Sequence, residues 1–324
     1  MSEPGSIARA PHPFGILREQ VEVSVAAGQQ GVSWLLSAQA PDGSWGYRPG
    51  GSGYVEPTAR AILALLRERA RVSETLAAVR RAAEWLRGLQ RADGSWGISA
   101  ADDSPSWMTA YALWALLRAE SALDDGSLRQ SIDGALRWLL ADASPAASPK
   151  DLGDMRWTLK IDGSLVGWPW VPGDAHWIFP TAISMVAAGL AGRADATRVR
   201  QGVAFLHDRA CEGGGWNVGN PYMFDKAFAP TVADTAVALL ALKAAGEGSS
   251  PGATAGLARL RELLREARSP LGLAWGALAI RAYGASSEDA RGQLVDLQSP
   301  DGSWQASPFA TALAVLALGD EPAV

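Results

Sequence analysis

One feature narrows the folds open to this chain more than any other: it repeats. The segment QAPDGSWG begins at Gln39, QRADGSWG at Gln90 and QSPDGSWQ at Gln298. Weaker copies are IDGSLVGW from Ile161 and CEGGGWNV from Cys211. Each copy follows a stretch with helical apolar spacing. Each is then followed by a second helix opening on a Thr-Ala pair: Thr58-Ala59, Thr109-Ala110, Thr181-Ala182, Thr235-Ala236 and Thr311-Ala312. Gln39 to Thr58 and Gln90 to Thr109 are both 19 residues apart. A unit of this kind cannot bury its apolar face alone, so copies must stack on one another.

The pattern predicts two helices per unit. The second helices (TARAILALL, TAYALWALL, TAISMVAAGL, TAVALLAL, TALAVLAL) are apolar nearly all round and belong inside. They are expected near 57–70, 107–121, 179–191, 231–245, 271–283 and 309–318. The first helices are amphipathic and expected outside, near 17–38, 74–90, 128–141, 197–210, 251–267 and 287–298. One unit, LGLAWGALAIRAYG after a helix from about Ser250, lacks the Asp-Gly-Ser-Trp turn. Gly192, Gly246, Gly284 and Gly319 stand where helix C-caps are expected. Six outer and six inner helices predict an all-α fold, an (α/α)6 barrel. The expected division is a tail over 1–16 and one barrel domain over 17–324. A Trp-, Pro- and Gly-rich insertion at about 142–178 interrupts it, and a loop of that length is usually functional.

Composition removes other classes. The chain has 324 residues, 48% hydrophobic and 19% charged, with a net charge of −5. That is too apolar for disorder and lacks the basic excess that nucleic acid requires. A single cysteine, Cys211, excludes a disulfide framework. The first 25 residues lack a signal peptide's apolar centre, and no apolar run approaches the roughly 18–20 residues of a membrane span. The expectation is a cytoplasmic protein, Arg- and Ala-rich in the manner of GC-rich bacterial genomes. Tryptophan is the favoured aromatic, 14 against 6 Phe and 5 Tyr.

The Gln…Asp-Gly-Ser-Trp copies resemble the QW motif of the terpene cyclase (squalene-hopene cyclase-like) and protein prenyltransferase superfamily. The resemblance implies that Gln39, Gln90 and Gln298, with Trp45, Trp96 and Trp304, tie outer helices to turns. It also implies an acid motif, Asp-x-Asp-Asp-Thr-Ala, at the mouth of an inner helix. The matching stretch here is Thr231-Val232-Ala233-Asp234-Thr235-Ala236. Only the last acid, Asp234, is kept; Ala233 stands where the proton-donating Asp would be. Prenyltransferase subunits hold zinc with Asp, Cys and His from inner helices. Here Cys211 follows the fourth outer helix, with His207 four residues earlier, on the wrong layer and without that context, so no metal and no cofactor is expected.

The residues just before each Thr-Ala pair should ring one rim of the barrel. They supply the candidate acids and bases Asp234, Glu56, Asp103, Asp174 and His176. The candidate substrate-binding residues are Tyr54, Trp107, Tyr111, Trp170, Trp177, Phe179, Thr231 and Phe309. A carboxyl among apolar walls has a raised pKa and serves as a general acid, and aromatic faces stabilise a cation. The alternative for each acid is a helix cap. The insertion offers Arg156 and Lys160 among Trp157, Trp168, Trp170 and Trp177. This suits an anionic, lipophilic ligand such as a prenyl diphosphate, or else a loop that its Trp residues pack down.

These residues fit a terpene cyclase-like enzyme, an isomerase or lyase, binding a lipophilic or isoprenoid-type small molecule. It would act by acid–base or cation-guided cyclisation or isomerisation. The competing readings are a non-catalytic toroid that binds a small ligand or partner protein, and a prenyltransferase-type subunit that needs a second protein chain.

Overall fold

The computed structural model describes residues 13–67, 73–124, 126–141 and 155–319. Twelve helices of nine residues or more follow one another among them. The outer set is α1 (Pro13–Ser37), α3 (Ser73–Gly88), α5 (Arg129–Leu139), α7 (Thr197–Asp208), α9 (Pro251–Glu266) and α11 (Glu288–Asp296). The inner set is α2 (Val55–Leu65), α4 (Met108–Leu123), α6 (Ile178–Leu190), α8 (Val232–Ala244), α10 (Pro270–Ala282) and α12 (Pro308–Leu318). Inner helices pack in the order α2, α4, α6, α8, α10, α12 and back to α2, a closed ring. The outer helices pack against this ring, most of them bridging two inner helices. Among the described residues no helix is long and apolar enough to cross a membrane.

Two departures from the expected layout are small. α1 starts at Pro13, inside the expected tail; residues 1–12 lie outside the described part. The fold also carries two minimal antiparallel ladders, β1 (Trp168–Pro169) with β2 (His176–Trp177) and β3 (Tyr222–Met223) with β4 (Lys226–Ala227). Of the insertion, residues 142–154 lie outside the described part, and the remainder is one helical turn at 155–158 followed by the β1–β2 hairpin.

The repeated residues form one clamp, built the same way in each copy. The indole N–H of Trp45, Trp96, Trp168, Trp216 and Trp304 donates to the carbonyl of Leu35, Leu86, Leu139, Leu206 and Leu294 respectively, at 2.6–3.0 Å. The rings are buried between helices, where an aromatic with a polar handle fits best. The backbone N–H of each Trp donates to the hydroxyl of Thr58, Thr109, Thr181, Thr235 or Thr311 at 2.7–3.0 Å. The Thr-Ala pair therefore recurs because its hydroxyl ties the inner helix to the turn. The amide of Gln39 donates to Gly43 O within its own turn and to Ala78 O on the next outer helix. Gln90 reaches Ser131 O and Gln298 reaches Ala27 O in the same manner. The turn glycine is obligatory: Gly94 has φ +93°, and a Cβ there would lie 2.4 Å from Gly134 O.

Three of the four expected C-cap glycines adopt the left-handed conformation: Gly192, Gly246 and Gly284, at φ +72°, +80° and +72°. Gly319 does not; its φ is −70°. There the helix end is met by cations instead. Arg67 donates to Gly319 O at 2.6 Å, Arg291 to Leu318 O at 2.7 Å, and Arg281 also reaches Gly319 O. Positive side chains suit the negative end of a helix dipole.

Candidate active site at the barrel mouth

The inner helices enter the ring in one register. Two residues before each Thr come Glu56, Trp107, Phe179, Ala233 and Phe309, and two after come Arg60, Tyr111, Ile183, Val237 and Leu313. Contacts between helices that are not ring neighbours show which of these reach the lumen. Arg60 of α2 lies over the rings of Phe309 (4.0 Å), Tyr111 (5.1 Å) and Trp275 of α10 (5.3 Å). Phe179 of α6 meets Trp275 edge-on at 5.9 Å and Trp107 at 5.7 Å. Trp170, from the insertion, caps the group. It is edge-on to Trp107 at 4.7 Å, and its carbonyl accepts from the Trp107 N–H at 3.0 Å. Tyr54 packs on Tyr47, and Tyr47 on Phe309.

At the centre stands a pair that sequence reading half identified. Glu56 Oε1 accepts from Arg60 Nη2 at 2.8 Å, and Oε2 accepts from the Tyr47 hydroxyl at 2.9 Å. The same Nη2 donates to Tyr111 Oη at 2.7 Å. Arg60 is 2% exposed. Its Nε and Nη1 are buried without a hydrogen-bond partner. A buried donor left unpaired costs about 1–3 kcal/mol, and interiors rarely tolerate it. Burial and the charge of Glu56 hold the Tyr47 phenol well above its ordinary pKa. Arg60 and Trp275 were absent from the expected site. The first lies in an apolar-looking helix and the second in the unit without a Trp turn.

Asp234 is placed differently. α8 lies three positions round the ring from α2, directly opposite. Asp234 sits in its first turn, 8% exposed. The Thr231 hydroxyl donates to its Oδ2 at 2.7 Å and accepts from its backbone N–H at 3.1 Å. Burial pushes the carboxyl's pKa up, and the Thr231 hydrogen bond only partly opposes this. Thr231 itself is exposed and acts as the N-cap of α8. The Cys211 thiol feels the Asp234 charge and is itself pushed up by burial.

The remaining candidates scatter. Asp103 and Asp174 are exposed on loops. His176 turns toward the outer layer, its ring 6.3 Å from Phe205 of α7. Burial, with Arg198 and Arg209 alongside, lowers its pKa to about 4. Alternation along β2 sends Trp177 the other way, against Gly219. The insertion's basic pair is engaged elsewhere: Arg156 binds Asp162 at 2.6 Å, and Lys160 lies over Tyr222 at 3.6 Å. Trp157 is 86% exposed. Of the insertion's four tryptophans, Trp170 is the one packed on the lumen aromatics. Among the described residues no three His, Cys, Asp or Glu side chains gather in a way that could hold a metal ion.

Comparison with known proteins places this architecture. The family model of the squalene-hopene cyclase C-terminal domain matches residues 13–102. Squalene–hopene cyclase of Bradyrhizobium diazoefficiens is 34% identical over 100 residues, 28% of this chain and 15% of that protein. Terpentedienyl-diphosphate synthase of Kitasatospora griseola is 41% identical over 85 residues, 26% of this chain and 16% of that protein. The matches therefore span about one-sixth of the length of these relatives. The type II terpene cyclase MstE from Scytonema, solved with its substrate geranylgeranyl dihydroxybenzoate, superposes with a TM-score of 0.62. It is 15% identical, over 93% of this chain and 98% of that one. An α-1,6-mannanase of Salegentibacter sp. superposes with a TM-score of 0.60 at 10% identity, over 93% and 98% of the two chains. The chain is an α/α toroid that shares its fold with type II terpene cyclases, and over residues 13–102 it is similar to the squalene-hopene cyclase C-terminal domain. The mannanase shows that the scaffold alone does not choose the reaction.

Proposed function

We propose that this protein is a single-toroid, terpene cyclase-like enzyme. It binds a lipophilic, isoprenoid-type substrate at the barrel mouth and starts cyclisation or isomerisation by proton transfer from Asp234. One observation carries the reading. Among the described carboxyl groups with a resolved shift, Asp234 is the one pushed up; Asp42, Asp93, Asp102, Asp162 and Asp301 are all held down by hydrogen bonds. A general acid must keep its proton at working pH and be held in place. Burial shifts Asp234 in the direction of the first, and the Thr231 hydroxyl serves the second. Trp107, Trp170, Phe179, Trp275 and Phe309 supply apolar, π-rich walls that exclude water and favour positive charge. Glu56 is less suited to delivering a proton, because both of its carboxyl oxygens are already engaged, by Arg60 at 2.8 Å and by Tyr47 at 2.9 Å. The Scytonema cyclase is covered over 98% of its length by this chain, so one toroid suffices for that enzyme.

The test is turnover. Purified protein is incubated with linear prenyl diphosphates, squalene and geranylgeranyl dihydroxybenzoate, and products are read by mass spectrometry. At least one should yield an isomeric product, and Asp234→Asn should abolish it while leaving binding intact. Conversion of none, or undiminished turnover by Asp234→Asn, overturns the proposal.

A second reading is favoured by Ala233 and by the Glu56–Arg60 pair in the lumen. A fixed guanidinium opposes a cationic intermediate, so the toroid would bind its ligand without transforming it. Tryptophan quenching by a prenyl compound without any product identifies this case.

A further inference from the structure

We infer that Arg60 is the anchor for a compact anionic group, carboxylate or phosphate, on the ligand of the barrel, and that Glu56 is the resident counter-ion which that group displaces. This rests on the reading above that the barrel takes a lipophilic molecule, and it adds that the molecule is amphipathic.

The argument begins with register. Two residues after the Thr, the other units carry Tyr111, Ile183, Val237 and Leu313; only the first carries a charge. Packing needs no arginine there. A guanidinium has five N–H donors. Two bonds leave from Nη2, to Glu56 and Tyr111, while Nε and Nη1, with three donors, are buried and unpartnered. The rings of Phe309, Tyr111 and Trp275 surround the guanidinium without accepting those hydrogens in plane. The group is thus 2% exposed, cationic and more than half unsatisfied, at the place where lumen aromatics converge.

Glu56 is built to give way. Its other oxygen is held by Tyr47, a rim residue that is 37% exposed, so the carboxylate already has a partner on the solvent side. A ligand anion that takes the Arg60 donors can leave Glu56 with Tyr47. The prenyl part then lies against Trp107, Phe179 and Trp275. The basic residues of the insertion do not compete for this role, since Arg156 and Lys160 are engaged at Asp162 and Tyr222.

The full chain is titrated with geranylgeraniol, geranylgeranoic acid and geranylgeranyl diphosphate, followed by calorimetry and tryptophan quenching. The acid or the diphosphate should bind about tenfold or more tighter than the alcohol, as a charge-assisted bond implies. The tighter of the two identifies the head group. Arg60→Met should bring that ligand to the alcohol's affinity. Glu56→Gln should tighten it several-fold, because the competitor is gone. A purely structural pair would weaken binding in both variants. Alcohol binding reports folding throughout, and Glu56→Gln/Arg60→Met serves if a single variant fails to fold. Equal affinity for all three ligands, or an undiminished anion preference in Arg60→Met or the double variant, overturns the inference and leaves the lipophilic barrel standing. Failure of all three to bind overturns both.

Discussion

The first and fourth units share one clamp and differ in almost everything that faces inward. In both, an indole N–H reaches the outer helix and a threonine hydroxyl takes the tryptophan backbone, Trp45 with Thr58 and Trp216 with Thr235. At the same register the first offers Glu56 and Arg60, the fourth Ala233 and Val237, with Asp234 between. The acid of the first unit is paired and sits among aromatics. That of the fourth is buried with a hydroxyl partner and has a raised pKa. The comparison separates scaffold from chemistry. What recurs holds the ring, and what does not recur marks the candidate site.

The largest effects should fall on the shared part and be alike in both units. Trp45→Ala and Trp216→Ala should each cost roughly 3–5 kcal/mol in urea unfolding. A clear inequality would break the equivalence of the clamps. The next effect should belong to the first unit alone. Glu56→Ala leaves Arg60 buried and unneutralised and should cost about 3 kcal/mol, whereas Glu56→Gln/Arg60→Met should recover most of it. Equal losses in single and double variants would show that the pair is not coupled.

The smallest effect should distinguish the fourth unit by its pH dependence. The folded pKa of Asp234 lies above its unfolded value, so the native state binds the extra proton. Its contribution to stability is present below the unfolded pKa and is lost as pH rises through the folded one. Asp234→Asn should therefore be more stable than the native chain at neutral pH. The difference should vanish on acidification below about 3.8, as urea midpoints across that range will show. A constant offset would mean the carboxyl is not perturbed.

Much of the architecture was written in the repeats. The Gln and Trp roles were implied by the resemblance of the copies to the QW motif, and the inner helices followed from being apolar all round. The site was legible only in part. Glu56, Trp107, Tyr111, Phe179 and Phe309 come together because a shared register puts them on one rim, and Trp170 joins them from the insertion. Arg60 escaped because a lone arginine in TARAILALL reads as tolerated in an apolar helix; comparing its register with Tyr111 and Val237 would have exposed it. Trp275 escaped because its unit has no turn from which to count. His176 and Trp157 lie elsewhere for a related reason. Composition tells how aromatic the insertion is, but the two-residue alternation of β2 and the direction of the 155–158 turn decide where the rings point.

The clasp between Gln298 and Ala27 joins residues 271 positions apart. It is chemically the same bond that Gln39 makes to its neighbour 39 positions on. Along the chain the two differ in the order of events. The early clasp can form as soon as the second unit exists, while the last must wait until both ends of the ring are made. Contacts of such separation slow folding, and until α12 meets α1 and α2 the apolar flanks of the open ring stay wet. The seam between the first and last units is therefore where folding should finish and where unfolding should begin.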